Sequence, residues 1–206
     1  MNIVLRTDHG LTLEAEWRDP IGTPRAVVVL CHPHPQYGGS MRSIVTSALF
    51  EGLPPRGFGC LRFNFRGVEG SEGEHAGGEE EQRDVVAAID AAVAQSDAPL
   101  VVVGWSFGAD VALTVRDPRV AAWVGIAPPL RFRAAVDYET TGNDRRAKLL
   151  ILAAHDEFRA PAVIEAEVAG WQHTRVETIT GASHFFVGRT DRVVTVTADF
   201  LETLSG

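Results

Sequence analysis

Residues 104–108 read Gly-Trp-Ser-Phe-Gly and close the apolar run 100–103. A buried strand that ends in Gly-x-Ser-x-Gly and passes into a helix lifts a serine hydroxyl out of a tight turn, where it can attack a carbonyl. The two glycines remove side chains where strand and helix come close. A serine hydroxyl is a poor nucleophile until a base takes its proton, and the base needs an acid to orient it. Two later segments supply these types. The apolar run 149–154 leads into His155-Asp156-Glu157, and the next strand-like stretch leads into Gly181-Ala182-Ser183-His184. The assignment is Ser106 as nucleophile, His184 as base and Asp156 as the acid holding the imidazole, with Glu157 open as the alternative acid. His155 is read as a supporting or surface residue, because neighbours on an extended segment point opposite ways. Asp110, inside the helix after Ser106, is read as structural.

Acyl transfer also needs donors for the oxyanion. One is the N–H of Phe107, the first residue of the new helix. The other should come from the loop Cys31-His32-Pro33-His34-Pro35-Gln36-Tyr37-Gly38-Gly39-Ser40. Pro33 and Pro35 carry no N–H, which leaves His34, Gln36 or Tyr37, and His34 is nearest the strand end. His32 and His34 could be half of a metal site, but zinc needs three or four ligands and the segment offers no further set. No metal or other cofactor is expected, and His32 is read as bracing the loop. Tyr37, Trp105 and Phe185 are expected to wall the substrate pocket. Together with Phe107 and Phe186 they point to short acyl chains.

The elements that must position these residues follow from the pattern of apolar runs. Segments 2–7 and 11–17 flank Asp8-His9-Gly10 and read as an edge hairpin. From residue 26 onward the strand candidates 26–31, 60–65, 100–104, 120–127, 148–154 and 175–180 are mostly continuous apolar runs, as in strands covered on both faces. Helix candidates 43–52, 79–95, 107–115, 162–169 and 190–204 alternate with them. Glu79-Glu80-Glu81 suits a helix N-terminus through the macrodipole. The sum is a three-layer α/β domain spanning 1–206, with a mostly parallel sheet and an antiparallel N-terminal edge hairpin. Only 128–147 separates two of the strands, enough for a loop and a short helix but not for a lid domain.

Composition narrows the partners. The net charge of −8 and the lack of a basic cluster with interleaved aromatics argue against nucleic acid. The N-terminal residues have no basic stretch followed by a long apolar one, and no apolar run could cross a bilayer, so a cytoplasmic protein without membrane association is expected. Cys31 and Cys60 fall at opposite ends of neighbouring strands and read as buried small hydrophobes, not a bridge.

The motifs His32-Pro33-His34-Pro35-x-Tyr37-Gly38-Gly39, Arg62-Phe63-Asn64-Phe65-Arg66-Gly67-Val68 and Gly104-x-Ser106-Phe107-Gly108 occur in one order between about residues 26 and 184. In this the chain resembles the small predicted serine hydrolases related to dienelactone hydrolase, compact members of the α/β-hydrolase superfamily. The resemblance implies the α/β-hydrolase fold and a Ser-Asp-His triad on Ser106, Asp156 and His184, in the superfamily's chain order. It says much less about the substrate, and the leading reading of the residues is a serine hydrolase acting on small carboxylic esters, or thioesters, through an acyl-enzyme, with a small-molecule ester as partner. A catalytically silent binding module on this fold, or a cofactor-free perhydrolase or haloperoxidase-like activity, are the alternatives. Dienelactone hydrolases carry cysteine where this chain has Ser106, so their specificity is not implied. Similar proteins often have a second glycine where this chain has Val68-Glu69-Gly70-Ser71, and Glu69 is read as solvent-facing.

Overall fold

In strand β3 (Ala26–Cys31), Val27, Val29 and Cys31 belong to one apolar layer while Val28 and Leu30 belong to the opposite one, and all are buried. Such a strand needs cover on both faces, which a parallel sheet between helix layers provides. The computed structural model describes residues 1–204 and has this build. Strands β1 (Asn2–Arg6), β2 (Thr12–Arg18), β3, β4 (Phe58–Phe63), β5 (Leu100–Trp105), β6 (Val120–Ile126), β7 (Ala147–Ala153) and β8 (Thr174–Ile179) form one sheet in the order β1-β2-β4-β3-β5-β6-β7-β8. The β1–β2 and β2–β4 pairs are antiparallel, and every other neighbouring pair is parallel.

Helices α1 (Ile44–Gly52) and α6 (Thr190–Glu202) cover the face that carries Val28, Leu30, Val101 and Val103. Helices α2 (Glu81–Val93), α3 (Phe107–Thr114) and α5 (Pro161–Val168) cover the other. Their buried residues keep helical spacing: Val85, Ala88, Ile89 and Ala92 on α2, and Val193, Val196, Thr197, Phe200 and Leu201 on α6. The 128–147 connection holds one short helix, α4 (Ala135–Asn143), beside α3, and no lid domain. Among the described residues no helix is long and apolar enough to cross a membrane.

Three local differences from the sequence reading have physical causes. Strand β4 starts at Phe58, two residues before the expected 60, although Gly59 looks like a breaker. The ring of Trp17 occupies the space where a side chain at 59 would stand, with its Cη2 only 2.7 Å from an ideal Cβ. Helix α2 begins at Glu81, and that acid is buried and does more than face a helix dipole. Its carboxylate accepts the N–H groups of Ala76 and Gly78, both at 2.8 Å, tying the preceding loop to the helix. Glu69 is exposed as expected, but it is not free. Its carboxylate takes Arg42 at 2.8 Å and the Asn64 amide at 2.9 Å. Cys31 and Cys60 are both unpaired and lie in opposite apolar layers, and burial pushes both thiol pKa values up.

Strand register sets up the site. Cys31 pairs with Gly104, Trp105 with Ile126, Ile126 with Ile151, and Ala153 with Ile179. The carboxyl ends of five parallel strands therefore stand in a row, the edge at which α/β sheets place their ligands.

Candidate active site

Ser106 bridges β5 and α3 with φ +55° and ψ −121°, a conformation that costs an L-residue about 1–3 kcal/mol. Close packing around the turn holds it there. The Ser106 N–H donates to the Ile126 carbonyl at 2.8 Å. A Cβ at Gly104 would overlap the Gly108 carbonyl and come within 2.5 Å of the Ala109 nitrogen. A Cβ at Gly108 would overlap the carbonyl oxygens of Cys31 and His32. The start of α3 thus rests against the end of β3, and only glycine permits that approach.

The structure brings Ser106, His184 and Asp156 into one chain of hydrogen bonds. His184 Nε2 is 2.9 Å from Ser106 Oγ, and His184 Nδ1 is 2.8 Å from Asp156 Oδ2. The other Asp156 oxygen accepts the N–H groups of Phe158 (2.9 Å) and Arg159 (3.1 Å), which turns the carboxylate toward the ring. Burial acts to raise the Asp156 pKa. The His184 hydrogen bond and charge and the two amides outweigh it, and the group stays below its ordinary value. In this geometry the carboxylate fixes a proton on Nδ1, leaving Nε2 to accept the serine proton.

Glu157, the alternative acid, serves the same histidine at its main chain: its Oε2 accepts the His184 N–H at 3.1 Å. The carbonyl of His184 accepts the indole N–H of Trp105 at 3.1 Å. Both ends of the residue are therefore pinned, and the ring of Phe158 lies edge-on to the imidazole with centroids 4.7 Å apart. His155 is exposed and donates its N–H to the Ala182 carbonyl.

The loop after β3 contains a single turn of 3-10 helix, Pro35–Tyr37. Two of the three candidate amides are engaged inside it. Gln36 N–H donates to His34 Nδ1 at 3.2 Å, and Tyr37 N–H to the His34 carbonyl at 3.1 Å. His34 is left with an N–H that makes no hydrogen bond among the described residues, as is Phe107 at the start of α3. His32 is fully buried between two backbone groups. Its Nδ1 donates to the Pro33 carbonyl at 2.6 Å, and its Nε2 accepts the Phe65 N–H at 3.0 Å. Burial lowers its pKa to about 4, so the ring is neutral and both nitrogens are occupied by main chain. A trans peptide directs its N–H opposite to its C=O. Fixing the Pro33 carbonyl therefore also fixes the direction of the His34 N–H. Among the described residues no cluster of three or more His, Cys, Asp or Glu could hold a metal.

Ser106, His184 and His34 border a cleft of about 570 Å³ whose walls include Tyr37, Trp105, Phe132, Phe158 and Phe185. Tyr37, Trp105 and Phe185 are among the residues that line it. Phe107 and Phe186 do not, because their rings are fully buried in the core. Sequence reasoning missed Phe158, Arg131 and Phe132. Phe158 could have been found from its position two residues after Asp156. Arg131 and Phe132 sit in a connection with no apolar period, and only Asp110 places them. That buried carboxylate accepts three successive N–H groups, those of Leu130 (2.9 Å), Arg131 (2.8 Å) and Phe132 (3.0 Å).

No family model matches the chain. An uncharacterised protein of Rickettsia prowazekii is 30% identical over 196 residues, covering 88% of this chain and 81% of that protein. A solved structure described as an alpha-beta serine hydrolase homologue from Coxiella burnetii superposes with a TM-score of 0.88 at 27% identity, covering 98% of this chain and 97% of the other. A protein of Xanthomonas campestris, described as a serine hydrolase of this fold without a lid, superposes with a TM-score of 0.85 at 25% identity, covering 99% of this chain and 92% of the other.

Proposed function

We propose that this chain, which belongs to the α/β-hydrolase superfamily, is a serine hydrolase that cleaves small carboxylic esters or thioesters through an acyl-enzyme. The supporting observation is the continuous chain Ser106 Oγ to His184 Nε2 to Asp156 Oδ2, with links of 2.9 and 2.8 Å, at a strained serine turn.

In this reading Ser106 Oγ attacks the acyl carbonyl as His184 Nε2 takes its proton. Asp156 keeps the imidazole in the right tautomer and stabilises the imidazolium. The carbonyl oxygen becomes an oxyanion between the N–H groups of Phe107 and His34. Loss of one such donor typically costs about 3 kcal/mol of transition-state stabilisation. The tetrahedral adduct collapses, His184 returns the proton to the leaving alkoxide or thiolate, and an ester bond joins the acyl group to Ser106. A water deprotonated by His184 then releases the acid and restores the serine.

A fluorophosphonate probe tests the proposal directly. It should label the wild type once, at Ser106, and leave Ser106→Ala unlabelled. A set of nitrophenyl esters from acetate to palmitate should be hydrolysed fastest at short chain length, because the cleft lies open without a lid. Failure to label, with no turnover of any ester, would instead support a binding module on this fold.

A further inference from the structure

Among the described residues, Arg131 supplies the only formally charged side chain, histidines aside, in the walls of the cleft that contains Ser106 and His184. The chain as a whole carries 27 acidic against 19 basic residues, so a lone cation at this place runs against the general balance. Most of the arginines around the sheet are held by carboxylates: Arg66 by Asp84, Arg133 by Asp137, Arg146 by Asp144. The Arg131 guanidinium has no carboxylate partner among the described residues and lies 5.2 Å from the centroid of the Phe132 ring. Its main chain is held far more firmly. Leu130 has φ +49°, and the three N–H bonds to buried Asp110 lock the strained segment in place. A fully buried carboxylate thus fixes the point from which Arg131 reaches the cleft.

We propose that Arg131 forms a carboxylate subsite, so that the substrates are esters carrying a free carboxylate beyond a short apolar segment. This rests on the reading of Ser106 as nucleophile and adds the substrate class. The planar guanidinium offers paired N–H donors that match a carboxylate. The aromatic walls of the cleft that both residues line take the apolar segment. The cation is open to solvent, so its effect is that of a partly screened contact.

The test compares esters that differ only in a terminal charge. On the acyl side, 4-nitrophenyl hydrogen adipate is set against 4-nitrophenyl 6-methylheptanoate. On the alcohol side, 4-acetoxybenzoate is set against 4-isopropylphenyl acetate. The ratio of kcat/KM for acid over neutral ester should fall about fivefold in Arg131→Gln for at least one pair. Arg131→Lys should keep most of it, and salt should weaken it in the wild type only. Ratios unchanged by Arg131→Gln in both pairs overturn the inference while leaving the hydrolase reading intact. An NMR titration of adipate into Ser106→Ala, with and without Arg131→Gln, needs no turnover. Arg131-dependent binding there supports the subsite even if no ester is cleaved, and binding indifferent to Arg131 removes it.

Discussion

Gly108→Ala sets two opposing effects against each other. Position 108 lies in the first turn of α3, and replacing glycine by alanine in a helix favours the folded state by about 1 kcal/mol. At this position the new methyl meets main chain that cannot rotate away. An ideal Cβ would stand 2.7 Å from the Cys31 carbonyl carbon and closer still to the Cys31 and His32 oxygens, whereas ordinary contact begins at 3.4 Å. The nearest atom, the His32 oxygen at 2.3 Å, falls short of that by about 1.1 Å, so the end of β3 and the start of α3 must separate by about 1 Å. Overpacking of this kind costs about 1–3 kcal/mol or more, so with the helix gain set against it the net change should be a loss of up to about 2 kcal/mol. The two free amides, Phe107 and His34, sit on the two segments being forced apart. Misplacement approaching 1 Å costs about a hundredfold in rate, and kcat should fall by that order. Urea unfolding read by tryptophan fluorescence gives the stability, with an unchanged slope showing that the folded state is comparable. Gly170→Ala is the control, because nothing lies within 4 Å of its added Cβ, and it should change stability by less than about 0.5 kcal/mol. A Gly108→Ala protein as stable as the wild type, with full activity, would refute the close-approach argument.

Trp105→Phe removes the indole donor to the His184 carbonyl at the cost of one buried hydrogen bond, about 1–3 kcal/mol. Esterase assays should show a lower kcat with a smaller change in KM, and an unaltered kcat would show that this bond does not position the histidine. Asp110→Asn replaces one accepting oxygen by an NH₂ group, so at least one of the Leu130, Arg131 and Phe132 amides loses its acceptor. Hydrogen exchange should speed up at those amides, and the carboxylate subsite should weaken with it. Asp156 has a folded pKa below its ordinary value of 3.8, so its ionised form contributes stability that is fully present above that value and is lost as pH falls through the lower folded pKa. The stability gap between wild type and Asp156→Asn should therefore shrink as pH falls below 3.8. A gap that widened over that acid range would reverse the sign of the argument. His32→Gln keeps one polar contact but not both, and should lower kcat while fluorophosphonate still reaches Ser106, more slowly.

Much of this site is legible in the amino-acid sequence. The strand cores are continuous apolar runs with turn residues at their ends, so β3 and β5 through β8 fall within a residue or so of their expected bounds. Strand ends in a parallel sheet share one edge, which places Ser106, Asp156 and His184 near each other from chain order alone. The prolines of the 32–39 loop strike Pro33 and Pro35 from the candidates for the free amide by chemistry that holds in any fold. Less legible is the division of labour between Asp156 and Glu157. Both are acids on one turn, and whether a carboxylate meets the imidazole or the main chain of His184 depends on how the β7 and β8 turns meet across the edge.

Local sequence thus determined the nucleophile, its turn and the alternation of strands and helices, because backbone geometry and the burial of both sheet faces are read over a few neighbouring residues. Tertiary structure alone decided the rest. Trp105 reaches 79 positions along the chain to His184, Asp110 holds a loop about twenty residues later, and His32 takes its acceptor role from Phe65 across the sheet. No short-range pattern records such pairings, since they arise only when the packed layers bring distant main chain within hydrogen-bond reach. The same holds for Arg131: its charge is written in the sequence, and the place of its main chain is set by a carboxylate buried on α3.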